Sequence, residues 1–514
     1  MLAARVRSFP VDTLWKRYKS TMAVLGEGAT GSVRVVRRRK SDGSLGKKFA
    51  LKHMDKESIE PKMLQSMRTE VNIMRQIDHP NIVHLYEIFE DEKHLYMILD
   101  LCDGGDLFDR IHQKKRFSEA EASRLVSQML AAIMYCHSKG IAHRDLKLEN
   151  FVFKDRNGPG KNTLVLIDFG LSQRYFKKRS VVHNDDESKN EQNKELKQQT
   201  SMSRIVGSAY YIAPEVVKGE YTNACDLWSI GVLTFMLVTG SPPFRGDGIM
   251  DVVGKIENSN GVRFEPFRVS KLCKEFVRGL LQIDPKMRWS AEQALHHDWI
   301  KLSSRKKTND DVVESSSVQI DENDMKKKKK KKRSFFDVVL NSDDETDMAT
   351  RVATRVQRFC KFKRLKRLAL LLNLTNLDAD EKDHLGEIFR RMDTNMTGRL
   401  FAYELERGFK EAGVEFENFH DIFMGLDQDS SGRIQYSQFL AATSNSCHLT
   451  ESEMKLMFHN VLDRDGDGKI SYNDLRAVLG SNFDSTAAKK LIDECDLTGD
   501  KHVSMDEFLA AMKS

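Results

Sequence analysis

The chain lacks the cysteine spacing that builds disulfides or zinc sites. Its seven cysteines, Cys102, Cys136, Cys225, Cys273, Cys360, Cys447 and Cys495, are odd in number and form no CxxC pair. A reducing compartment is therefore expected, with no disulfide framework. Nor is there an apolar run long enough to span a bilayer. The longest, around Trp228–Thr239, reads as a buried helix. Leu2 stands where a myristoylation signal needs glycine. Met1–Phe9, with two arginines and no acid, is too short for a transit peptide. Acid is also missing locally: no Asp or Glu occurs from Met348 to Leu377.

What is present is size and charge. At 514 residues, 40% hydrophobic and 31% charged, the chain predicts two to four domains, on a scale of roughly 150 residues each. The net charge of +6 conceals an asymmetry, because residues 376–514 hold 27 acidic and 15 basic residues. An acidic tail behind a basic body suits a cation-binding module facing a basic segment, or simply two unrelated domains. Residues from about Tyr18 to Ile300 read as mixed α/β, with strand-like runs at Ala23–Val36, Lys48–His53 and His94–Leu99. Residues 301–349 are polar and contain the lysine run Lys326–Lys332. That run reads as a self-repelling solvated linker, with nuclear entry, nucleic-acid contact and anionic-lipid attraction as alternatives. From about Thr350 the pattern is helical. Arg174–Thr200, polar and nearly free of aromatics, reads as a loop that cannot bury enough surface to order itself.

The string His143-Arg144-Asp145-Leu146-Lys147-Leu148-Glu149-Asn150, followed by Asp168-Phe169-Gly170, puts a hydroxyl-orienting carboxylate, a phosphate-facing lysine and two magnesium ligands in one short stretch. That combination points to phosphoryl transfer. Upstream, Gly26-Glu27-Gly28-Ala29-Thr30-Gly31-Ser32-Val33 is a GxGxxGxV string. Glycines there let backbone amides approach triphosphate oxygens, but alone the string is weak, since dinucleotide-binding loops share it. Ala50-Leu51-Lys52 follows. Lys52 is expected on the α- and β-phosphates, held by Glu70 from a helix. Asp145 is expected to orient and deprotonate the incoming hydroxyl, and Lys147 to neutralise the transferring phosphoryl. Asn150 and Asp168 are expected to hold Mg²⁺.

Residues 18–300 resemble the eukaryotic protein kinase superfamily. Ala213-Pro214-Glu215, Asp226, Trp228, Gly231 and Arg288 match further landmarks of that family, Arg288 as the partner of Glu215. The resemblance implies a stacked spine of His143, Phe169, Met74 and Leu85, and an adenine site lined by Leu25, Val33, Ala50 and Val152. It also implies a gatekeeper at Leu99 and a hinge at Asp100-Leu101-Cys102. Lys147 and the surroundings of Ser208 resemble serine/threonine kinases. Asp106 and Glu149 match acids that recognise a basic residue upstream of the acceptor; the alternative is that both are solvated surface acids. Ser208 stands where most relatives have Thr, and the long insert leaves open whether Ser201 or Ser203 is a regulatory phosphosite.

Four calcium-loop patterns begin at Asp393, Asp427, Asp463 and Asp496, 33–36 residues apart. The first offers Asp393, Asn395, Thr397, the Arg399 carbonyl and Glu404. The second offers Asp427, Asp429 and Ser431, but Gln438 holds position 12, where an amide cannot supply a bidentate charge. The third offers Asp463, Asp465, Asp467, the Lys469 carbonyl and Asp474. The fourth offers Asp496, Thr498, Asp500, the His502 carbonyl and Glu507, with Lys501 in place of the turn glycine, at about 1–2 kcal/mol. The third and first loops rank as the best Ca²⁺ sites, then the fourth, then the second. Leu385, Ile388, Phe389 and Met392 form the apolar stripe of an entering helix.

In the acid-free stretch, Arg351, Arg355, Arg358, Lys361, Lys363, Arg364, Lys366 and Arg367 are interleaved with Val352, Val356, Phe359, Phe362, Leu365, Leu368 and Leu372. This pattern predicts a basic amphipathic helix over 350–372, of the kind EF-hand lobes engulf, with membrane-surface binding and plain packing as rivals. Met392, Met424, Met454, Met457 and Met505 are candidates for an adaptable groove. The order of kinase, basic junction helix and four EF-hands resembles the calcium-dependent protein kinases of plants and protists over about residues 18–514.

The expected fold is multidomain: a bilobal α/β kinase fold plus an all-α, calmodulin-like EF-hand domain. The boundaries expected are an N-terminal extension at 1–17, a kinase domain at 18–300, a linker at 301–349, an autoinhibitory junction helix at 350–375 and EF-hands at 376–514. The expected activity is calcium-activated serine/threonine phosphorylation with ATP, Mg²⁺ and Ca²⁺. Its substrates would be proteins with basic residues upstream of Ser or Thr, and its internal partner the junction helix. A cytoplasmic monomer with no nucleic-acid or membrane partner is expected. A calcium-responsive pseudokinase scaffold and a kinase governed by activation-loop phosphorylation are the alternatives.

Overall fold

The computed structural model describes residues 6–28, 31–40, 42–57, 60–157, 159–175, 209–219, 222–259, 261–301, 345–374, 377–429, 431–445, 449–479 and 485–513. The expectations at Ala29 and Thr30, the insert beyond Tyr175, Ser201, Ser203, Ser208, Lys326–Lys332 and Cys447 lie outside the described residues. The chain divides into two compact units. One comprises Met1–Arg110, Ala131–Asp185 and Asp347–Ser514, and the other Ile111–Leu130 and Asp186–Thr346.

The first unit opens with a six-stranded sheet: β1 (Arg7–Phe9), β2 (Tyr18–Gly28), β3 (Gly31–Arg39), β4 (Leu45–Asp55), β5 (Leu85–Glu90) and β6 (His94–Leu99), in the order β1-β5-β6-β4-β3-β2. All neighbouring pairs run antiparallel except β1 with β5. The run Ala23–Val36, expected as one strand-like stretch, is thus two strands turned at the glycine string. At Gly31 (φ +144°) a Cβ would sit 1.8 Å from the His53 carbonyl oxygen, so no side chain fits there. Residues 6–17 of the N-terminal extension are also structured. Phe9, and Leu14 from the short helix α1 (Leu14–Arg17), join Tyr18, Val36, Phe49, Leu51, Tyr86, Phe89 and Ile98 in one buried cluster. Under it, Arg17 and the Tyr18 hydroxyl both bond the buried Glu87 carboxylate, at 2.9 and 3.0 Å.

Helix α2 (Pro61–Met74) starts with proline in its first turn, where the missing N–H costs nothing. Helices α3 (Leu107–Lys114) and α4 (Glu119–Ser138) follow β6. The segment 143–150 lies between the short strand Ile141–Ala142 and the hairpin of Phe151–Phe153 with Leu164–Leu166.

The helical tail of this unit corrects one expectation. The single helix predicted over 350–375 is two helices, Glu345–Lys361 and Arg364–Leu372, and the first begins inside the predicted linker. They part where Lys363 adopts an extended backbone (φ −55°, ψ 149°). The next helix, Ala379–Met392, starts where the Asp378 carboxylate accepts the N–H groups of Asp380 and Glu381. Each calcium loop then sits between helices. Two-residue strands pair the loops, Arg399–Leu400 with Ile434–Gln435 and Lys469–Ile470 with Val503–Ser504.

The second unit is helical. Ala224–Thr239, the long apolar run, is buried along almost its whole length and ends at Gly240 in the left-handed conformation. Arg288 meets both carboxylate oxygens of Glu215 at 2.6 and 3.0 Å, the predicted pair. Among the described residues no helix is long and apolar enough to cross a membrane. At Gly279 a Cβ would stand 2.4 Å from the Trp289 ring. Gly279→Ala should therefore destabilise this unit by about 1–3 kcal/mol, read as a lower thermal midpoint; an unchanged midpoint would contradict this packing.

Candidate functional site

Lys52 lies on β4, directly opposite Val33 of β3. Its ammonium bonds Glu70 Oε1 of α2 at 2.6 Å and stands 3.9 Å from Asp168 Oδ1. Burial works against that charge, but Glu70 and Asp168 outweigh it and hold the Lys52 pKa above its ordinary value. Asp168 is likewise held below the usual carboxylate range. Its burial is overcome by Lys52 and by the Gly170 N–H, which donates to it at 3.0 Å.

Asp145 is gripped from both sides. Lys147 Nζ donates to its Oδ2 at 2.8 Å, and the Asn150 amide donates to its carbonyl at 2.7 Å and to Oδ2 at 3.3 Å. The preceding Arg144 is a non-glycine residue at φ +73°, so backbone strain is stored beside this carboxylate. The His143 and Phe169 rings lie 5.0 Å apart, and both, with Met74 and Leu85, are buried, as the predicted spine requires. In the phosphate loop Gly26, Glu27 and Gly28 pair with Val33, Ser32 and Gly31. Leu25 is exposed, and Ala50 pairs with Leu99. Asp106 uses its carboxylate to accept the Asp109 N–H at 2.7 Å, at the start of α3. Glu149 is exposed.

The hinge holds residues that sequence reasoning missed. The Asp100 carboxylate accepts from the Tyr86 hydroxyl at 2.6 Å and from Lys382 Nζ at 2.8 and 3.0 Å. Lys382 belongs to the entering helix of the first calcium loop. It also donates to the Tyr86 oxygen, and its neighbour Asp383 pairs with Lys154. Burial raises the Asp100 pKa, yet Lys382, Lys154 and Lys47 keep it well below the usual carboxylate range. Burial lowers the Lys47 pKa as well, to about 8. Burial also lifts the Cys102 thiol to about 12, which disfavours its thiolate form. A second tie runs from the Ser437 N–H to the buried Asp78 carboxylate at 2.9 Å. Lys382, Asp383 and Ser437 lie among ordinary helix residues, and only Asp100, already assigned to the hinge, carried a sequence signal.

The four loops share one wiring scheme. Asp393, Asp427, Asp463 and Asp496 each accept the N–H at loop position 6, from Gly398, Gly432, Gly468 and Lys501. The position-12 oxygens of Glu404, Asp474 and Glu507 accept N–H groups from both ends of their loops. Gln438 accepts the Gln435 N–H at 2.8 Å at its own helix start, and its side chain also hydrogen-bonds Asp429. In the third loop Asp463, Asp465 and Asp467 bring carboxylate oxygens within 4.8 Å of one another, an oxygen cluster suited to a hard divalent cation. In the first loop burial, and then Glu404 nearby, push the Asp393 carboxyl up to about 7. A bound cation would relieve that pressure. Lys501 takes φ +63°, the strained turn expected.

The junction helices lie among these loops. Val352, Val356, Phe359, Phe362, Leu365, Leu368 and Leu372 are all buried. Their basic neighbours cap the ends of EF-hand helices: Arg355 donates to the Thr443 carbonyl at 3.0 Å, Arg367 to Gly425 at 2.6 Å and Lys363 to Glu494 at 3.2 Å. Cations there satisfy last-turn carbonyls and oppose the helix dipole, at about 0.3–1 kcal/mol each. Of the groove methionines, Met392, Met454 and Met457 are buried and Met424 is exposed.

Comparison with known proteins agrees with this geometry. Residues 19–300 match the protein kinase domain family, and residues 451–513 the EF-hand domain pair. The chain is 31% identical to calcium-dependent protein kinase 4 of Plasmodium falciparum, over 96% of this chain and 85% of the relative. It is 30% identical to calcium-dependent protein kinase 33 of Arabidopsis thaliana, over 100% of this chain and 87% of the relative. Calcium-dependent protein kinase 17 of Arabidopsis thaliana is 32% identical, over 95% and 82%.

Gln438 is 2% exposed, so a carboxylate there is costly without a cation and a ligand with one. Gln438→Glu should lower the thermal midpoint in EGTA and enlarge its rise with Ca²⁺. Titration calorimetry should find tighter or additional Ca²⁺ uptake. A midpoint shift equal to that of the unmodified chain would refute the reading.

Proposed function

Because the chain belongs to the calcium-dependent protein kinases, we propose that its EF-hand module governs a complete phosphotransfer site through the junction helices and the hinge. The protein is a calcium-activated serine/threonine protein kinase. ATP binds under the glycine loop, along Leu25, Gly26, Glu27, Gly28, Gly31, Val33, Ala50 and the hinge at Asp100 and Cys102, with Lys52 on its α- and β-phosphates. When Mg²⁺ is bound by Asn150 and Asp168 it supplies charge neutralisation across the phosphate oxygens. Asp145 orients the acceptor hydroxyl and takes its proton. Lys147, already within 2.8 Å of Asp145, steadies the transferring charge. Asp106 and Glu149 favour acceptors with a basic residue upstream.

The observation that carries the switch is the dual use of the basic stretch. Its apolar side is buried among EF-hand helices while its cations close their carbonyl ends. Without calcium, the junction segment is held off the EF-hands and blocks the kinase. With calcium, the EF-hand lobes grip it, and the entering helix of the first loop engages the hinge through Lys382. Calcium shifts this balance only by binding the gripping state more tightly.

Peptide-kinase activity measured across a Ca²⁺ titration should rise at least several-fold above its EGTA level. An EGTA-insensitive rate would overturn the switch. Asp145→Asn should cut phosphate transfer by about 10²–10⁴-fold with nucleotide binding retained; undiminished transfer would remove Asp145 from its role.

A further inference from the structure

The chain begins Met1-Leu2-Ala3-Ala4-Arg5-Val6-Arg7-Ser8-Phe9. Arginine therefore stands three residues and one residue before Ser8. This matches the acceptor preference proposed above, on which this inference rests in part. The structure adds an independent observation. β1 pairs with β5, Ser8 opposite Ile88. Strand alternation turns Phe9 toward the core, stacked on Phe89 and beneath Arg17, and sends the Ser8 side chain to the opposite face. There Arg75 Nη2 donates to the Ser8 hydroxyl at 2.6 Å, and on the backbone of the same residue both terminal nitrogens of Arg464 donate to the Ser8 carbonyl at 3.3 Å.

Two guanidinium groups, one at the C-terminal end of α2 and one in the third calcium loop, thus converge on a single serine. A hydroxyl and a carbonyl use little of their donor capacity. Arg75 Nε is buried with no hydrogen-bond partner among the described residues. The acid whose charge reaches Arg75, Glu90, is engaged by Lys56 at 2.7 Å. A phosphate, with three oxygens and close to two charges, suits such a pair of forks.

We propose that Ser8 is a phosphorylation site whose phosphate is clamped between Arg75 and Arg464. In the transfer, Ser8 Oγ bonds to the γ-phosphorus of ATP and the bond from that phosphorus to the β–γ bridging oxygen breaks. ADP leaves, and the hydroxyl proton passes to Asp145 of the copy acting as enzyme. The acceptor is the locally detached strand, because Ser8 in place is partly buried and bonded to Arg75; opening a three-residue edge strand is a local event. Once β1 redocks, the phosphate ties the end of the helix that carries Glu70 to the loop whose Arg464 N–H rests on Asp474. The dipole of α2 disfavours an anion at that end, and two charge-assisted forks outweigh it.

The test uses the full chain incubated with Ca²⁺, Mg²⁺ and ATP, with phosphate located by peptide mass spectrometry. A synthetic serine peptide with arginine three residues upstream, and its alanine counterpart, are assayed on the same sample. Phosphate on Ser8 that is absent from Asp145→Asn is expected. If the arginine peptide is phosphorylated and Ser8 is not, the site is overturned while the acceptor preference stands. If both peptides react equally, the preference falls, and phosphate on Ser8 still supports the site. A second arm installs phosphoserine at position 8 by genetic encoding and follows its removal by a broad-specificity phosphatase. Removal should be about tenfold slower than in the Arg75→Ala/Arg464→Ala chain, and equal rates overturn the clamp. Should the alanine pair fail to fold, Arg75→Lys/Arg464→Lys retains the charges without the forks; it should also release phosphate faster, and rates equal to the unmodified chain again overturn the clamp.

Discussion

A lysine caught between two carboxylates organises the nucleotide side of this protein. Lys52 stays charged in a buried setting because Glu70 bonds it at 2.6 Å and Asp168 stands 3.9 Å away. That arrangement exists only while α2 holds its position, and α2 is fastened along its length. Ser66 donates to the Gly170 carbonyl, Glu70 meets Lys52, and Arg75 reaches Ser8 of β1. Strand β1, Lys52 of β4 and the Asp168-Phe169-Gly170 turn are therefore joined through one helix. A change at any of these ties reaches the phosphates by way of Glu70.

Charge also explains why the acidic tail and the basic stretch share a chain. The acidic residues of the loops face inward on backbone amides, while the carbonyl ends of the flanking helices meet arginine and lysine of the junction. The asymmetry of 27 acids against 15 bases in residues 376–514 is answered locally by cations from residues 350–372. The hinge follows the same pattern on a smaller scale: Asp100, Lys382, Lys154 and Asp383 form a largely buried group in which each charge meets an opposite one. Removing one partner from such a group is far more damaging than replacing the whole set.

Much of this was legible in the sequence, and the reason is geometric. The phosphotransfer residues sit in short motifs that follow in a set order, so Lys52, Glu70, Asp145, Lys147, Asn150 and Asp168 could be named before any coordinates. Each calcium loop is likewise a twelve-residue local object. What escaped was non-local or local in a different sense. Lys382 and Asp100 are 282 residues apart, and neither neighbourhood hints at the other. β1 is three residues long and draws its stability from Phe9 in a core built by other strands, so no periodicity marks it. The break at Phe362 and Lys363 escaped because an apolar stripe at helical spacing continues across it, and only the two sets of EF-hand carbonyls fix where the chain must bend.

Position 6 of the calcium loops is occupied by Gly398, Gly432, Gly468 and Lys501, all with left-handed backbone. Around Gly432 and Gly468 a Cβ would meet nothing within 4 Å, whereas at Gly398 it would stand 2.2 Å from the His79 ring and 3.0 Å from Tyr135. Substitution at this position is thus a matter of torsional cost in three of the loops and of outright collision in the first. Sequence drift of the kind that put lysine in the fourth loop has room to occur in the second and third, while the first is pinned by its neighbours on the kinase side as well as by its own turn.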